Sequence, residues 1–131
     1  MNPRHQAWIR FGRNACGSVA VEFALLLPVY ILFILGIIEF GRMIWIRNTM
    51  EFAAEQAARY GAVTSGATEA QIEAYALTQL IGMDSVTISF TGTTVTSSTV
   101  TVVGTHDFTT IIADYVPIPA MTLTVTATFT K

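Results

Sequence analysis

From Val19 to Ile38 the chain runs through twenty residues whose only charge is Glu22, close to the mouth of the run. As a helix rising ~1.5 Å per residue this stretch would measure about 30 Å, the thickness of a bilayer's hydrocarbon core. No other feature constrains the fold as strongly. It predicts one membrane-spanning helix over residues 19–38, closed on its far side by Glu39 and Arg42. Pro28 is expected to be tolerated inside it, because neighbouring helices can satisfy the carbonyl that proline frees. A carboxylate at the edge of hydrocarbon is costly unless it is paired or hydrated, which singles out Glu22.

Orientation follows from the arginines. Arg4, Arg10 and Arg13 precede the span, and no acidic residue occurs among the first seventeen. The positive-inside rule therefore places the N-terminus in the cytoplasm. On the other side Arg42, Arg47 and Arg59 are interleaved with Glu39, Glu51 and Glu55, which weakens the asymmetry without reversing it. Beyond Gly61 the only Lys or Arg is Lys131, against Glu69, Glu73, Asp84, Asp107 and Asp114. Such a segment translocates easily, and an extracytoplasmic C-terminal domain is expected.

With a leader and a span set aside, about seventy residues remain for one small domain, near the size at which a core alone is marginal. Support from a long helix or a neighbouring subunit is expected. The net charge of −2, with no clustered basic face, excludes a nucleic-acid partner. Cys16 is the only cysteine, so no internal disulfide can form. A lipoprotein role for Cys16 is excluded by order, since the apolar stretch of a secretory signal precedes its processing site and here it follows.

That order also bears on processing. The chain reads basic leader, Gly17, Ser18 and only then apolar, so a cut near Gly17 would remove the leader and keep the span. This is the logic of prepilins, cut after a glycine to leave an apolar helix with glutamate as its fifth residue. Counting from Ser18, the fifth residue is Glu22. More narrowly, Gly17 to Val63 resembles the TadE-like family, pseudopilins of tight-adherence (Tad/Flp) pilus systems. The pieces that carry the likeness are the entry Ala20-Val21-Glu22-Phe23-Ala24-Leu25, Leu27-Pro28, the exit Ile38-Glu39-Phe40-Gly41-Arg42 and the run ending Ala58-Arg59-Tyr60-Gly61.

The resemblance implies a minor pilin-like subunit of a bacterial tight-adherence pilus or secretion system, acting in pilus assembly and adhesion. It would be matured by a prepilin peptidase and held single-pass in the inner membrane. Its implied partners are membrane lipid, that peptidase, other pilin or pseudopilin subunits and the Tad assembly proteins. Gly17 and Ser18 would flank the cut, and Glu22 would be the pilin-type glutamate. The alternative is an uncleaved single-pass anchor that scaffolds the secretion machinery.

Glu22 can be read without the family. Cleavage would leave a positive α-amine on Ser18 about one helical turn away, and an ion pair within or between subunits would reduce the cost of both charges near hydrocarbon. Otherwise Glu22 sits at the headgroup level and is simply solvated.

Past the span the helix is predicted to continue to residue 61. Arg47 with Glu51, and Glu55 with Arg59, are i,i+4 partners, and Glu39 with Arg42 is an i,i+3 pair. Trp45 is either an interfacial anchor or packing beneath the domain. Ala53, Ala57 and Gly61, with Ala54, Ala58 and Ala62 alongside, form a flat stripe that lets another backbone approach closely. Either the chain's own sheet or a second subunit's helix could use it, and the first is expected because a small domain needs that burial.

Ser65-Gly66 reads as a turn. A second helix is predicted from Thr68, with Gln71 completing a capping box, to about Ile81 before Gly82. Its stripe of Ile72, Ala76 and Leu80, flanked by Tyr75 and Gln79, should face the core. From Asp84 the period becomes two, predicting strands at Val86–Phe90, around Val100 and Val102, and at Met121–Thr130, with a weaker one at Phe108–Ile112. Gly92 and Gly104 are expected to punctuate them, with Pro117 and Pro119 in a loop before the last.

The expected fold is a membrane-anchored α+β chain: leader 1–17, helix 18–61, and an extracytoplasmic domain 62–131 with a short helix and three or four antiparallel strands. No catalytic constellation, metal set, cofactor motif or small-molecule substrate site is recognised. His106-Asp107 reads as an isolated loop pair, and Ser97-Ser98 as turn chemistry.

Overall fold

The computed structural model describes residues 15–111, 113 and 118–131. Arg4, His5, Arg10, Arg13, the Cys16 side chain, Ile112, Asp114 and Pro117, on which some of the expectations fall, lie outside the described residues. The fold is α+β: a long apolar N-terminal helix, a short second helix and a three-stranded antiparallel sheet.

Helix α1 spans Ala15–Val63 and contains Pro28 in its interior. By contact density the chain divides into two units, Met1–Ile38 and Glu39–Lys131. Among the described residues of the first, only α1 is present. The side chains of Val19, Phe23, Leu26, Tyr30 and Phe33 are all exposed, and none of the most apolar window is buried. By length and composition this helix can cross a membrane, and so large an apolar surface requires lipid or other helices around it.

The second unit holds the rest of α1, helix α2 (Glu69–Thr78) and strands β1 (Thr94–Val95), β2 (Thr99–Phe108) and β3 (Met121–Thr130), in the order β1-β2-β3. The core joins Ile46 and Met50 of α1, Ile72 of α2, Val100 and Val102 of β2, and Val125 of β3. Along β3 the period-two pattern is realised, with Leu123, Val125 and Ala127 buried and their threonine neighbours exposed. β2 and β3 pair without interruption from Thr99 opposite Thr130 to Phe108 opposite Met121.

Helix α1 runs to Val63, two residues past the expected 61, and is followed by a turn in which Gly66 takes φ +78°, a conformation that glycine reaches without steric cost. The capping box is present: the Gln71 N–H donates to the Thr68 hydroxyl at 3.4 Å and the Thr68 N–H to Gln71 Oε1 at 3.1 Å. Helix α2 stops at Thr78, short of the expected Ile81. The Thr78 hydroxyl folds back onto the Tyr75 carbonyl (2.7 Å), and the N–H groups of Gln79 and Leu80 bond three residues back. The last turn tightens in the 3₁₀ manner, leaving Leu80 half-buried beyond the helix.

Val86–Phe90 is not a strand. The segment is reduced to one antiparallel bridge, Ser89 to Thr105, with hydrogen bonds of 3.0 and 2.8 Å. Between that bridge and the Thr94–Thr101 pairing the outer segment uses five residues where β2 uses four. One extra residue breaks a ladder as a bulge does. The inward positions were legible all the same, since Ile88 and Phe90 are buried.

Gly104, expected to end a strand, lies inside β2 opposite Val125. A Cβ on it would fall 2.6 Å from Cε1 of Phe90, so the aromatic ring fills the space a side chain would take. Phe108 is the last residue of β2, and Thr109–Ile111 form no strand of their own. Ser97 and Ser98 make the β1–β2 hairpin, where the Thr96 N–H donates to the Thr99 carbonyl at 2.8 Å.

Candidate functional site

At the mouth of the apolar helix, Gly17 and Ser18 lie in the opening turns of α1 and are exposed. The Ser18 hydroxyl donates to Glu22 Oε1 at 3.2 Å, one helical turn along. Gly17 has no packing duty, because a Cβ built there would meet nothing within 4 Å. Among the described residues no packing requires a glycine here.

Where α1 joins the second unit, Glu39 is 7% exposed. Its Oε2 accepts from Arg42 Nε (3.2 Å) and Nη2 (3.0 Å), and its Oε1 accepts the backbone N–H of Ile111 at 2.8 Å. Arg42 also donates to the Thr109 carbonyl, and its guanidinium lies 4.4 Å from the Phe108 ring centroid. The predicted i,i+3 pair is thus formed, and it does more than decorate a solvated face. It clasps the chain leaving β2 onto the helix, and each charge is satisfied by the other plus backbone.

The other two predicted pairs do not close. Among the described residues Glu39–Arg42 is the only salt bridge, and Arg47–Glu51 and Glu55–Arg59 are not engaged. Arg59 instead lies 5.6 Å from the Phe129 ring centroid. An exposed i,i+4 pair contributes only a few tenths of a kcal/mol, so a competing contact readily displaces it.

Ala53, Ala54, Ala57 and Ala58 are buried in the core of the second unit. At Gly61 a Cβ would meet Ile72 Cδ1 at 2.5 Å and Val100 Cγ1 at 3.0 Å, so α2 and β2 occupy the space that the stripe leaves. Tyr60 and Tyr75 stack beside it, ring centroids 4.5 Å apart. Trp45 is half exposed, with its ring 3.7 Å from where a Cβ on Gly82 would stand.

A polar groove of about 550 Å³ on the second unit is lined by Arg42, Thr87, Ser89, His106, Asp107 and Thr122 among others. His106 lies on β2 rather than in a loop. Its Nδ1 donates to the Thr87 carbonyl at 2.7 Å, and Asp107 accepts the Thr122 hydroxyl at 2.7 Å. Both side chains are engaged in tying segments to the sheet. Among the described residues no three His, Cys, Asp or Glu side chains converge on a possible metal position.

The clasp is the feature that sequence reasoning missed in part. The i,i+3 spacing marks Glu39 and Arg42 as neighbours, but a partner 72 positions away leaves no local signal.

No curated protein and no solved structure matches the chain. Residues 17–59 match the family model described as TadE-like protein. The matched stretch starts at the glycine before Ser18, takes in Glu22 and the clasp pair, and ends within the buried alanine stripe. The segment from Gly17 to Arg59, about a third of the chain, is therefore similar to the TadE-like family.

Proposed function

We propose that this chain is a minor pilin-like subunit, a pseudopilin, of a bacterial tight-adherence pilus or secretion system, matured by a prepilin peptidase and acting in pilus assembly and adhesion. The observation that carries the reading is the bare helix of the first unit, apolar on every side, with its one carboxylate a turn from Ser18. Such a helix is at home in lipid and equally among other apolar helices, the two environments of a subunit stored in a membrane and then assembled. In this reading residues 1–17 are a cytoplasmic leader, residues 18–61 a helix spanning the inner membrane over about 19–38, and residues 62–131 an extracytoplasmic domain.

Hydrolysis of the Gly17–Ser18 bond would leave an α-amine on the residue whose hydroxyl already reaches Glu22 at 3.2 Å. The ammonium and the carboxylate would then pair, in one chain or between neighbours, and a pair between neighbours would set the helix register. The open surroundings of Gly17 support recognition by an outside protein, because a bare backbone is what a close-fitting peptidase can grip. Partners in this reading are lipid, the peptidase, other pilin-like subunits and the Tad assembly proteins.

One observation favours the second reading, an uncleaved single-pass anchor that scaffolds the machinery. Helix α1 already begins at Ala15, so the Gly17–Ser18 bond sits in helical backbone that a peptidase would have to unwind.

Intact-mass measurement with N-terminal sequencing, on protein from native membranes, separates the two. A chain beginning at Ser18 supports the pseudopilin. A chain still carrying Met1 or Asn2 supports the anchor and makes Glu22 an interfacial charge.

A further inference from the structure

We propose that the end of the second unit next to Glu39 rests in the membrane interface, with Ile111 inserted at the headgroup boundary and held there by the Glu39–Arg42 clasp. This rests on the run ending at Ile38 spanning a bilayer, which both readings above share.

The placement follows from a contact inside the second unit and from chain connectivity. Glu39 is the first residue after the apolar run, and the Ile111 N–H is bonded to its carboxylate at 2.8 Å. With the hydrocarbon ending at Ile38, the backbone of Ile111 is one hydrogen bond from the Glu39 side chain at that level. Among the described residues the Ile111 side chain is 65% exposed. Exposed apolar side chains occur at this end of the unit, Phe40 and Ile44 on α1 at 60% and 41% and Met121, which pairs with Phe108 beneath Arg42, at 55%, together with the polar Thr109, Thr122 and Asp107.

Charge is what normally keeps such a surface out of lipid, and the two charges of the clasp are internally satisfied, while Asp107 nearby accepts the Thr122 hydroxyl. Both Glu39 oxygens are occupied, and Arg42 is shared among Glu39, the Thr109 carbonyl and the Phe108 ring. A paired, hydrogen-bonded charge enters a headgroup layer at far lower cost than a free one. Exposed aliphatic and aromatic groups beside it gain by burial at the acyl boundary, in the manner of interfacial anchors. The occupant is therefore a phospholipid surface.

The test uses the full chain with Cys16→Ser, reconstituted in vesicles of phosphatidylethanolamine and phosphatidylglycerol. A nitrobenzoxadiazole probe is attached at Ile111→Cys or, as a control, at Ser97→Cys, in the hairpin at the opposite end of β2. Expected is blue-shifted emission at position 111, quenched by lipids doxyl-labelled near the headgroup and shielded from aqueous iodide, with the reverse at position 97. An Ile111 probe open to iodide and indifferent to doxyl lipid overturns the proposal. So does one shielded from both, which would mean a protein neighbour covers it. Glu39→Ala should abolish the lipid quenching at position 111 while a probe at Phe40→Cys keeps it; quenching that persists at 111 removes the clasp from the explanation. The result reads the same whether the chain begins at Met1 or Ser18, so it stands or falls separately from maturation.

Discussion

Glu39 and Ile111 stand 72 positions apart and share a 2.8 Å hydrogen bond between a buried carboxylate and a backbone amide. Through it the end of β2 is fastened to α1 at the residue where the apolar run stops. Glu39→Ala would leave the Ile111 N–H without its acceptor and the Arg42 guanidinium with only the Thr109 carbonyl, at a cost of about 1–3 kcal/mol. Glu39→Gln keeps one oxygen for Ile111 and should cost less. Thermal unfolding of the full chain in detergent, followed by circular dichroism, should rank wild type above Gln above Ala. Equal midpoints for wild type and Ala would show that the clasp contributes no stability.

Gly61 is the tightest point of the stripe. An added Cβ would overlap Ile72 and press on Val100, and overpacking of this kind costs about 1–3 kcal/mol. Gly61→Ala recovers up to about 1 kcal/mol in helix propensity, so its net loss should be small to moderate. Gly61→Leu has no such offset and should prevent the second unit from packing. Protease resistance of the region after residue 63 in the two variants, compared with wild type, checks the order.

Thr68 starts α2 through reciprocal hydrogen bonds with Gln71. Thr68→Ala should cost ~1 kcal/mol, the usual worth of an N-cap. Amide exchange in Gln71 and Ile72, whose N–H groups both face Thr68, should quicken more than exchange in β2. Uniform quickening would mean that α2 and the sheet open together.

Gly17 gives a prediction in which fold and function separate. No atom of the described residues stands near a Cβ at this position, so Gly17→Leu should leave the thermal midpoint unchanged. In cells it should nonetheless block shortening of the chain, while Gly17→Ala has a milder effect. Normal shortening of the Leu variant, seen by intact mass, would place the cut elsewhere.

Glu22→Ala should leave membrane insertion intact, since it removes a charge from an apolar helix. Under the pseudopilin reading it should reduce surface piliation, because the partner of the new Ser18 amine is gone. Undiminished piliation with normal membrane levels would argue against a register role.

Features that depend on near neighbours were legible in the sequence. The apolar run, continuation through Pro28, the Thr68 capping box, the Gly66 turn and the alternation of β3 each depend on residues a few positions apart, where side-chain chemistry and backbone geometry are directly coupled. Features that depend on which distant segments meet were not legible. Val86–Phe90 has the alternation of a strand, yet the extra residue before Thr94 breaks its ladder with β2. Gly104 resembles a strand terminator until the Phe90 ring is seen to cover it.

The same division runs through the candidate site. Gly17, Ser18 and Glu22 could be singled out because order and spacing along one helix carry their meaning. For the Ala53, Ala57 and Gly61 stripe the sequence favoured the chain's own sheet over a second subunit's helix, because a small domain needs that burial, but it could not name the covering residues. The tertiary structure places Ile72 and Val100 there. Glu39 and Arg42 were visible as a pair, but their attachment to Ile111 and Thr109 was decided only by the path of the chain after β2. A helix and its caps are set by local periodicity and hydrogen bonding, whereas a clasp joining residues 72 apart exists only once packing has brought them together.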